Sequence, residues 1–288
     1  MRERNLNLTM VQANPLQIED KFEKFEIQVE QVLKEYPSTE LLMFPELHLY
    51  GDGTPDRSRT SALENSAEPL SGERTELLKR LAKRFSVWLV PGSICERGED
   101  GKLYNTLVLL SPNGDLVASY RKIFPWRPSE PYAPGAEFVV ANLEGAKIGL
   151  TICYDAWFPE VTRELAWRGS ELMLNVVKTT TPDRKQEIVL AQANAIVNQV
   201  FFASVNVAAP TGLGGSLVVG PEGEILVKAQ GAAEEVLNVV IDLERVRKIR
   251  DEGTAGENRM WSQFRPGDPV IPLSIYEGRI NPSTWEPK

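Results

Sequence analysis

The chain has a single histidine, His48, among 288 residues, and only two cysteines, Cys95 and Cys153. One histidine excludes a metal site built from several histidines, and any Cys–His or Ser–His catalytic pair would have to use His48. Two cysteines do not indicate a disulfide scaffold, so we expect free thiols and a reducing, cytoplasmic setting. We accordingly predict no metal, no organic cofactor, and packing roles for His48 and Cys95.

Basic runs and long apolar runs are also missing from the sequence. The chain carries 40 Asp and Glu against 32 Lys and Arg, which gives a formal net charge of −8. Nucleic-acid backbones and anionic membrane surfaces are bound by clustered cations, so we predict neither as a partner. No segment approaches the ~20 apolar residues that cross a bilayer. The first strand-like stretch contains Asn7 and Thr9, so we do not expect it to be a signal-peptide core.

Strand and helix signals alternate along the chain, which predicts an α/β fold. Two hairpin segments, 108–115 and 218–224, resemble each other, and each follows a similar run of strand, helix and strand. Such hairpins are common, but they also fit two similar halves packed face to face as a four-layer αββα sandwich. We predict strands at 6–13, 41–44, 87–91, 104–110, 116–120, 138–142, 147–152, 172–177, 200–206, 215–220, 224–227 and 236–241, and helices at 19–36, 73–85, 159–168, 181–198 and 244–250.

Cys153 lies between a predicted apolar strand and a predicted helix that begins at Pro159. A nucleophile at the end of a strand is held rigidly, and the backbone N–H of the next residue, Tyr154, can face a developing oxyanion. Nearby cations would favour the thiolate form of such a cysteine. The alternative for an isolated cysteine is a buried and inert thiol.

Two charged residues, Glu46 and Lys122, lie near other strand ends, and a third, Glu130, follows eight residues after Lys122. Glu46 directly follows the apolar run 41–45, where a partly desolvated carboxylate would suit a general base. Lys122 closes the strand at 116–120, where its ammonium could stabilise an oxyanion, and Glu130 could orient Lys122 or hold a substrate amine. Taken singly, Glu46 could instead cap a turn and Lys122 could be an exposed lysine.

The order of these residues carries more information than any one of them. Phe-Pro-Glu at 44–46, Tyr-Arg-Lys at 120–122 and Ile-Cys-Tyr-Asp at 152–155 follow one another along the chain. This set resembles the nitrilase, or carbon–nitrogen hydrolase, superfamily, whose catalytic residues are Glu, Lys and Cys. The resemblance covers residues 6–265 and implies an αββα sandwich, catalysis through a cysteine thioester, and a homodimer or larger homo-oligomer.

Two segments narrow the resemblance further. Residues 121–130 resemble the aliphatic amidase branch, in which the residue matching Glu130 is a second acidic residue of the active site. Cys-Tyr-Asp at 153–155, followed by Phe-Pro-Glu at 158–160, is similar to amidases and ω-amidases. The resemblance therefore implies an amidase that hydrolyses a small acyl amide to a carboxylic acid and ammonia.

Other functions stay open at this point. Nitrile hydrolysis, N-carbamoyl-amine hydrolysis or acyl transfer could use the same cysteine. True nitrilases more often have Cys-Trp-Glu, and N-carbamoyl-amino-acid hydrolases have arginines where this chain has Ala156 and Trp157. A function of another class would be a non-catalytic binding protein that retains the fold, against which stands the presence of all four expected chemical residues.

The segments beside the catalytic residues should form the rim of the substrate pocket. We predict one carbon–nitrogen hydrolase domain over 1–265 and an irregular C-terminal tail over 266–288, which could pack on a partner subunit. The predicted catalytic residues are Glu46, Lys122, Cys153 and Glu130, and the predicted substrate-binding residues are Tyr154, Trp126, Tyr132, Trp157 and Lys178.

Overall fold

The computed structural model of the protein describes residues 4–17, 19–50, 59–127, 129–263, 265–273 and 275–278. Within these residues, strands and helices alternate as the sequence predicts. The strands are β1 (Asn5–Gln12), β2 (Leu41–Met43), β3 (Trp88–Val90), β4 (Ser93–Arg97), β5 (Leu103–Leu110), β6 (Leu116–Arg121), β7 (Val140–Leu143), β8 (Ala146–Ile152), β9 (Leu172–Val177), β10 (Phe201–Asn206), β11 (Leu217–Val219), β12 (Ile225–Lys228) and β13 (Glu235–Asp242). The helices are α1 (Phe22–Glu35), α2 (Arg59–Ser66), α3 (Glu73–Phe85), α4 (Pro159–Trp167), α5 (Arg184–Asn198) and α6 (Glu244–Glu252).

The strands form two sheets with matching topology. The first sheet has the order β13-β1-β2-β3-β5-β4, with β6 paired to β5, and the second has the order β12-β11-β10-β9-β8-β7. In the first sheet β1, β2 and β3 are parallel, and in the second β8, β9 and β10 are parallel. Each parallel set is followed along the chain by an antiparallel hairpin, β5–β6 or β11–β12. The predicted similarity of the two halves is therefore confirmed.

The apolar residues of each sheet point to two different cores. In β2, Leu41 and Met43 face a central core between the sheets, whereas Leu42 packs against α1 and α3 on the outer side. In β9, Leu174 faces the central core and Met173 packs against α4 and α5. Successive strand residues point to opposite faces, and both faces are buried here, so β2 is apolar throughout and β9 is apolar except at Asn175. The order helix, sheet, sheet, helix confirms the predicted αββα sandwich.

Two elements lie where the sequence predicts none. Strand β4 contains Glu96 and Arg97, and these charges interrupt the apolar alternation by which a strand is recognised. Glu96 is nevertheless buried, because its carboxylate accepts hydrogen bonds from Thr106 and Arg121 on the neighbouring strands. Helix α2 escapes prediction because it is mainly polar and lacks an apolar face.

Two helices begin later than predicted. The chain turns before α1, where the Gln17 N–H donates to the carboxylate of Asp20, so this helix begins at Phe22. Before α5, the Thr181 hydroxyl donates to the carboxylate of Asp183, and the helix begins at Arg184. In both cases a polar side chain forms a hydrogen bond with a nearby residue of the same segment and holds the chain in a turn ahead of the helix.

The chain beyond α6 is irregular, with a short 3₁₀ turn at Met260–Ser262. The ring of Trp261 lies against the guanidinium groups of Arg163 and Arg250, which attaches this segment to the outer helices. In the predicted tail over 266–288, residues 266–273, 275 and 278 are exposed, and residues 274 and 279–288 lie outside the described residues. Packing of this tail on a partner stays a prediction. No helix in the described ranges is long and apolar enough to cross a membrane.

Candidate active site

Three strand ends bring the predicted catalytic residues to one edge of the sandwich. Glu46 follows β2, Lys122 directly follows β6, and Cys153 directly follows β8. The Lys122 ammonium lies 3.1 Å from Glu46 Oε1 and 2.6 Å from Glu130 Oε1. Glu130 and Cys153 line the same cavity. The fold therefore places all four side chains in one cluster.

Lys122 is the central charge of the cluster, and its side chain is fully buried. Burial lowers the pKa of this ammonium, but the negative charges of Glu46, Cys153 and Glu130 outweigh burial and raise it above the ordinary value. Burial raises the pKa of Glu130, although the Lys122 charge opposes that rise. Lys122 thus stays protonated while its two partners share one positive charge.

Asn105 in β5 fixes the orientation of Glu46. Its amide Nδ2 donates to Glu46 Oε1 at 2.7 Å, and its backbone carbonyl accepts from the Lys122 N–H at 2.9 Å. One residue thereby sets the positions of both a carboxylate and a cation. The role of Asn105 could not be predicted from the sequence, because an asparagine inside a strand has no distinctive pattern around it.

Cys153 occupies a sharp turn between strand and helix. Its φ angle is 45°, in the left-handed region, which costs a non-glycine residue roughly 1–2 kcal/mol. The Asp155 carboxylate holds the turn, because it accepts the Ile152 N–H at 2.9 Å. It also accepts the Tyr120 hydroxyl at 2.7 Å and the Phe124 N–H at 3.0 Å, on either side of Lys122. Asp155 therefore ties the cysteine turn to the segment that carries the lysine.

The Cys153 thiol is neutral in the resting site. Burial raises its pKa well above the ordinary value and the Glu46 charge raises it further, while Lys122 opposes both. A neutral thiol is a weak nucleophile and needs a base that takes its proton as it attacks. Glu46 belongs to the same cluster and can supply that base.

Two glycines permit the close packing of the segments that carry Glu46 and Lys122. Gly92 has a φ of 90°, and a Cβ there would lie 1.8 Å from the carbonyl oxygen of Pro45. A Cβ on Gly135 would lie 2.2 Å from the carbonyl oxygen of Arg121, and the Gly135 N–H donates to the Lys122 carbonyl at 2.8 Å. Backbone packs against backbone at both places, so neither contact can relax by moving a side chain.

We predict that Gly92→Ala destabilises the fold by more than about 1 kcal/mol and lowers amide turnover, because the methyl displaces the backbone next to Glu46. Gly101→Ala is the matched control, since Gly101 also has a positive φ, 77°, but open space around its Cβ position. Urea denaturation midpoints and initial rates of ammonia release measure the difference. Equal losses in the two variants would contradict the role given to the contact with Pro45.

A cavity of about 30 Å³ opens onto Cys153. Of the predicted substrate-binding residues, Trp126, Tyr154 and Lys178 line it. Tyr132 and Trp157 are not part of this lining. Tyr132 is buried in a small cluster with Leu47, Leu63 and Cys95, and the Trp157 ring lies 6.0 Å from the ring of Tyr154. The remaining lining residues, which the sequence analysis missed as contacts, are Thr179, Thr180, Thr181, Asp183 and Glu187.

His48 and Cys95 pack in the interior. The His48 ring packs against the rings of Phe25 and Phe44, and its Nε2 is 3.0 Å from Gln28 Oε1. Burial lowers the pKa of His48 to about 3 and raises that of Cys95 to about 11. Both groups are therefore neutral at physiological pH, as packing residues should be.

The family model described as carbon-nitrogen hydrolase matches residues 7–251. The chain belongs to the carbon–nitrogen hydrolase family. An omega-amidase of Xenopus laevis is 35% identical over 210 residues, which are 67% of this chain and 75% of that protein. A formamidase of Bradyrhizobium sp. is 31% identical over 238 residues, 79% of this chain and 67% of that protein.

Solved structures agree with the family assignment. A nitrilase-superfamily protein of Saccharomyces cerevisiae superimposes with a TM-score of 0.75 at 26% identity, covering 86% of this chain and 93% of the yeast chain. The predicted membership of the superfamily is confirmed. This carbon–nitrogen hydrolase is an enzyme that hydrolyses amide bonds, as the order of its motifs predicted.

Proposed function

We propose that this carbon–nitrogen hydrolase converts short acyl amides to carboxylic acids and ammonia, with Cys153 as the nucleophile. The observation that carries the proposal is the buried Lys122 ammonium, bonded to Glu46 and Glu130 beside the cysteine. A cation held there without solvent favours negative charge on a substrate oxygen as that charge develops. The neighbouring carboxylates provide the base and the orientation.

In the first half of the reaction, the Cys153 Sγ attacks the amide carbonyl carbon and its proton passes to Glu46. The C–S bond forms as the carbonyl electrons move to oxygen, where Lys122 and the backbone N–H of Tyr154 stabilise the oxyanion. The oxyanion then collapses and the C–N bond breaks. Glu46 returns its proton to the leaving nitrogen, ammonia departs, and the acyl group remains as a thioester.

In the second half, a water molecule attacks the thioester carbonyl and Glu46 takes the proton of that water. Collapse of the second oxyanion breaks the C–S bond, and Glu46 gives the proton to the departing sulfur. The carboxylic acid leaves and the thiol is restored. Glu130 does not exchange protons in this scheme; it holds Lys122 at 2.6 Å and accepts the Trp126 N–H, which positions both against the substrate.

The size of the cavity supports a short acyl group. One water occupies roughly 10–15 Å³ by the same measure of volume, so a cavity of about 30 Å³ accommodates only a few non-hydrogen atoms. Formamide and acetamide meet this limit. The formamidase and omega-amidase relatives make both the shortest acyl amide and a longer one reasonable test substrates.

Lys178 favours a second candidate substrate, an amide whose far end carries a carboxylate. Lys178 lines the cavity, and burial lowers its pKa to about 8, although the Glu46 charge opposes this. Its ammonium is therefore still mostly protonated at neutral pH and can pair with an anion. A short amide with a carboxylate at its far end, such as oxamate, would gain this contact, whereas formamide would not.

We predict ammonia release from formamide and acetamide and slower release as the acyl chain lengthens beyond the cavity. Intact mass after brief incubation should show an acyl adduct whose mass identifies the acyl group.

The variant Lys178→Met distinguishes the two candidate substrates. It should leave the turnover of neutral amides unchanged if they are the substrates, and should reduce turnover at least tenfold if the substrate is anionic. A panel that gives neither ammonia nor adduct, with Cys153 still reactive towards iodoacetamide, would exclude short amides and favour nitriles or N-carbamoyl amines.

We also propose that the enzyme works as a homo-oligomer in the cytoplasm. The support for assembly is exposed apolar surface: Trp167 is 75% exposed, and Val270 and Leu273 in the tail are 93% and 78% exposed. The support for a reducing compartment is that Cys95 and Cys153 are both free thiols. Light scattering of the full chain, compared with a chain that ends at residue 265, tests whether the tail contributes to assembly.

A further inference from the structure

A second acidic group lies beside Cys153, and the mechanism above does not use it. Thr179 follows β9, and its Oγ1 is 3.8 Å from Cys153 Sγ. The same Oγ1 is 2.8 Å and 2.7 Å from the two carboxylate oxygens of Glu187, which lies in α5. Arg184 completes the chain of contacts, because its Nη1 donates to Glu187 Oε2 at 3.1 Å.

Each member of this chain is fixed by other hydrogen bonds. The Thr179 N–H donates to the side-chain oxygen of Asn206 at 2.9 Å. The Arg184 guanidinium donates to Ser204 Oγ and to the carbonyl oxygens of Gly214 and Gly215. Thr179, Glu187 and Arg184 are all buried. The geometry is therefore built into the second half of the sandwich.

The direction of the hydrogen bonds follows from counting protons. A threonine hydroxyl has one proton to donate, and an ionised carboxylate can only accept. The Glu187 carboxylate forms an ion pair with the permanently charged Arg184, from which it accepts a hydrogen bond. Thr179 must therefore donate to Glu187, which leaves the lone pairs of its oxygen for Cys153. In this contact the sulfur can only be the donor, through its S–H.

We propose that Thr179 and Glu187 are positioning residues that hold Cys153 as a neutral thiol by accepting its S–H hydrogen bond. This inference rests on the proposed role of Cys153 as the nucleophile. A hydroxyl that donated its proton would stabilise a thiolate, but one whose proton is bound by Glu187 stabilises the thiol. The resting enzyme then keeps a less reactive sulfur, and this sulfur loses its proton to Glu46 only when a substrate is bound.

Several charged groups act on this thiol from different elements. Glu46 after β2, Glu130 in the loop after β6 and Glu187 in α5 disfavour the thiolate, while Lys122 favours it. Arg184 lies behind Glu187, and Lys178 and Asp183 line the same cavity. If charge alone acted on the thiol, replacing Glu187 would change the ionisation of Cys153 and replacing Thr179 would not. The hydrogen-bond chain requires both of them, and this difference permits a test.

The test measures the rate of Cys153 alkylation by iodoacetamide from pH 6 to 11, with peptide mass mapping to separate Cys153 from Cys95. Thr179→Val keeps the side-chain volume but removes the oxygen lone pairs. We expect the rate at neutral pH to rise about threefold to tenfold, because the thiol loses its acceptor. Glu187→Gln should also raise the rate. Thr179→Ser retains the hydroxyl and should keep the wild-type profile.

Asp183→Asn is the matched control for charge, because Asp183 lines the cavity but bonds to Thr181 rather than Thr179. It should shift the profile less than Glu187→Gln.

A Thr179→Val variant that alkylates at the wild-type rate, or more slowly, would overturn the inference, since a slower rate would mean that Thr179 donates to the thiolate. If Glu187→Gln does not fold, the comparison of Thr179→Val with Thr179→Ser still decides whether Thr179 accepts the hydrogen bond of the thiol. Alkylation needs no amide turnover. If the unchanged enzyme hydrolyses no amide while Thr179→Val still shifts the alkylation profile, the amide substrate is refuted, and the hydrogen bond to the Cys153 thiol stands for whatever reaction that thiol performs.

Discussion

Cys153→Ala should lower amide hydrolysis by about a thousandfold or more, because no other group in the site can form the thioester. The fold should persist, since the side chain loses one sulfur atom at a partly exposed position. The measurements are the rate of ammonia release and the intact mass after incubation with substrate. The acyl adduct expected for the unchanged enzyme should be absent from this variant.

Cys95→Ala is the control for that experiment, because it removes the other thiol at a buried packing position that does not line the cavity. It should cost some stability and leave the acyl adduct intact. Cys153→Ala retaining more than a tenth of the rate would contradict the thioester scheme. Loss of the adduct in Cys95→Ala with the fold preserved would mean that Cys95, and not Cys153, is the nucleophile.

Lys122→Met should be the most destabilising single change in the site, with an expected cost of about 3–5 kcal/mol. The methionine fills a similar volume, but Glu46 and Glu130 would be left buried without their shared cation. Amide turnover should also disappear, because the oxyanion loses its positive partner. Urea denaturation of the variant, compared with Lys102→Met at an exposed ion pair, measures the difference. Loss of the exposed pair should cost far less stability than loss of the buried one, because solvent screens its charges.

The Lys122→Met deficit should shrink as the pH falls. Burial already raises the pKa of Glu130, and the Lys122 charge is what opposes that rise. Without the lysine the folded-state pKa of Glu130 rises further, so folding takes up a proton and is favoured in acid. Stability lost at neutral pH should therefore return as the pH falls towards 4.5, the ordinary value for glutamate. Glu130→Gln in the Lys122→Met background should restore part of the stability at neutral pH; a further loss would contradict the electrostatic explanation.

The local sequence was sufficient for most of the secondary structure. Helix α3 has the predicted bounds, and so does β9, because each has an apolar pattern of the right period and clear ends. Strand β4 was missed because Glu96 and Arg97 interrupt its apolar pattern. The buried Glu96 carboxylate is paired with Arg121 in β6 and accepts a hydrogen bond from Thr106 in β5. A local pattern contains no information about such partners.

The residues that line the cavity were also predicted only in part from the local sequence. Trp126, Tyr154 and Lys178 were predicted from their closeness to motif residues in the chain, and they line the cavity. Tyr132 was predicted for the same reason, but it packs inside a cluster with Cys95. Closeness along the chain places a residue near the site, whereas the direction of its side chain depends on how the loop packs.

The sequence by itself determined the chemistry of this protein: the order of Glu46, Lys122 and Cys153, each at a strand end, predicted an amide hydrolase of the αββα type. Only the tertiary structure decided what surrounds these groups. Asn105 bonds to Glu46 and Thr179 contacts Cys153, although 59 and 26 residues separate the partners. The parallel strands β8 and β9 bring Cys153 and Thr179 to one edge, whereas Asn105 reaches Glu46 from the antiparallel strand β5. Such contacts between polar side chains depend on how distant strands pack and have no local signature in the sequence.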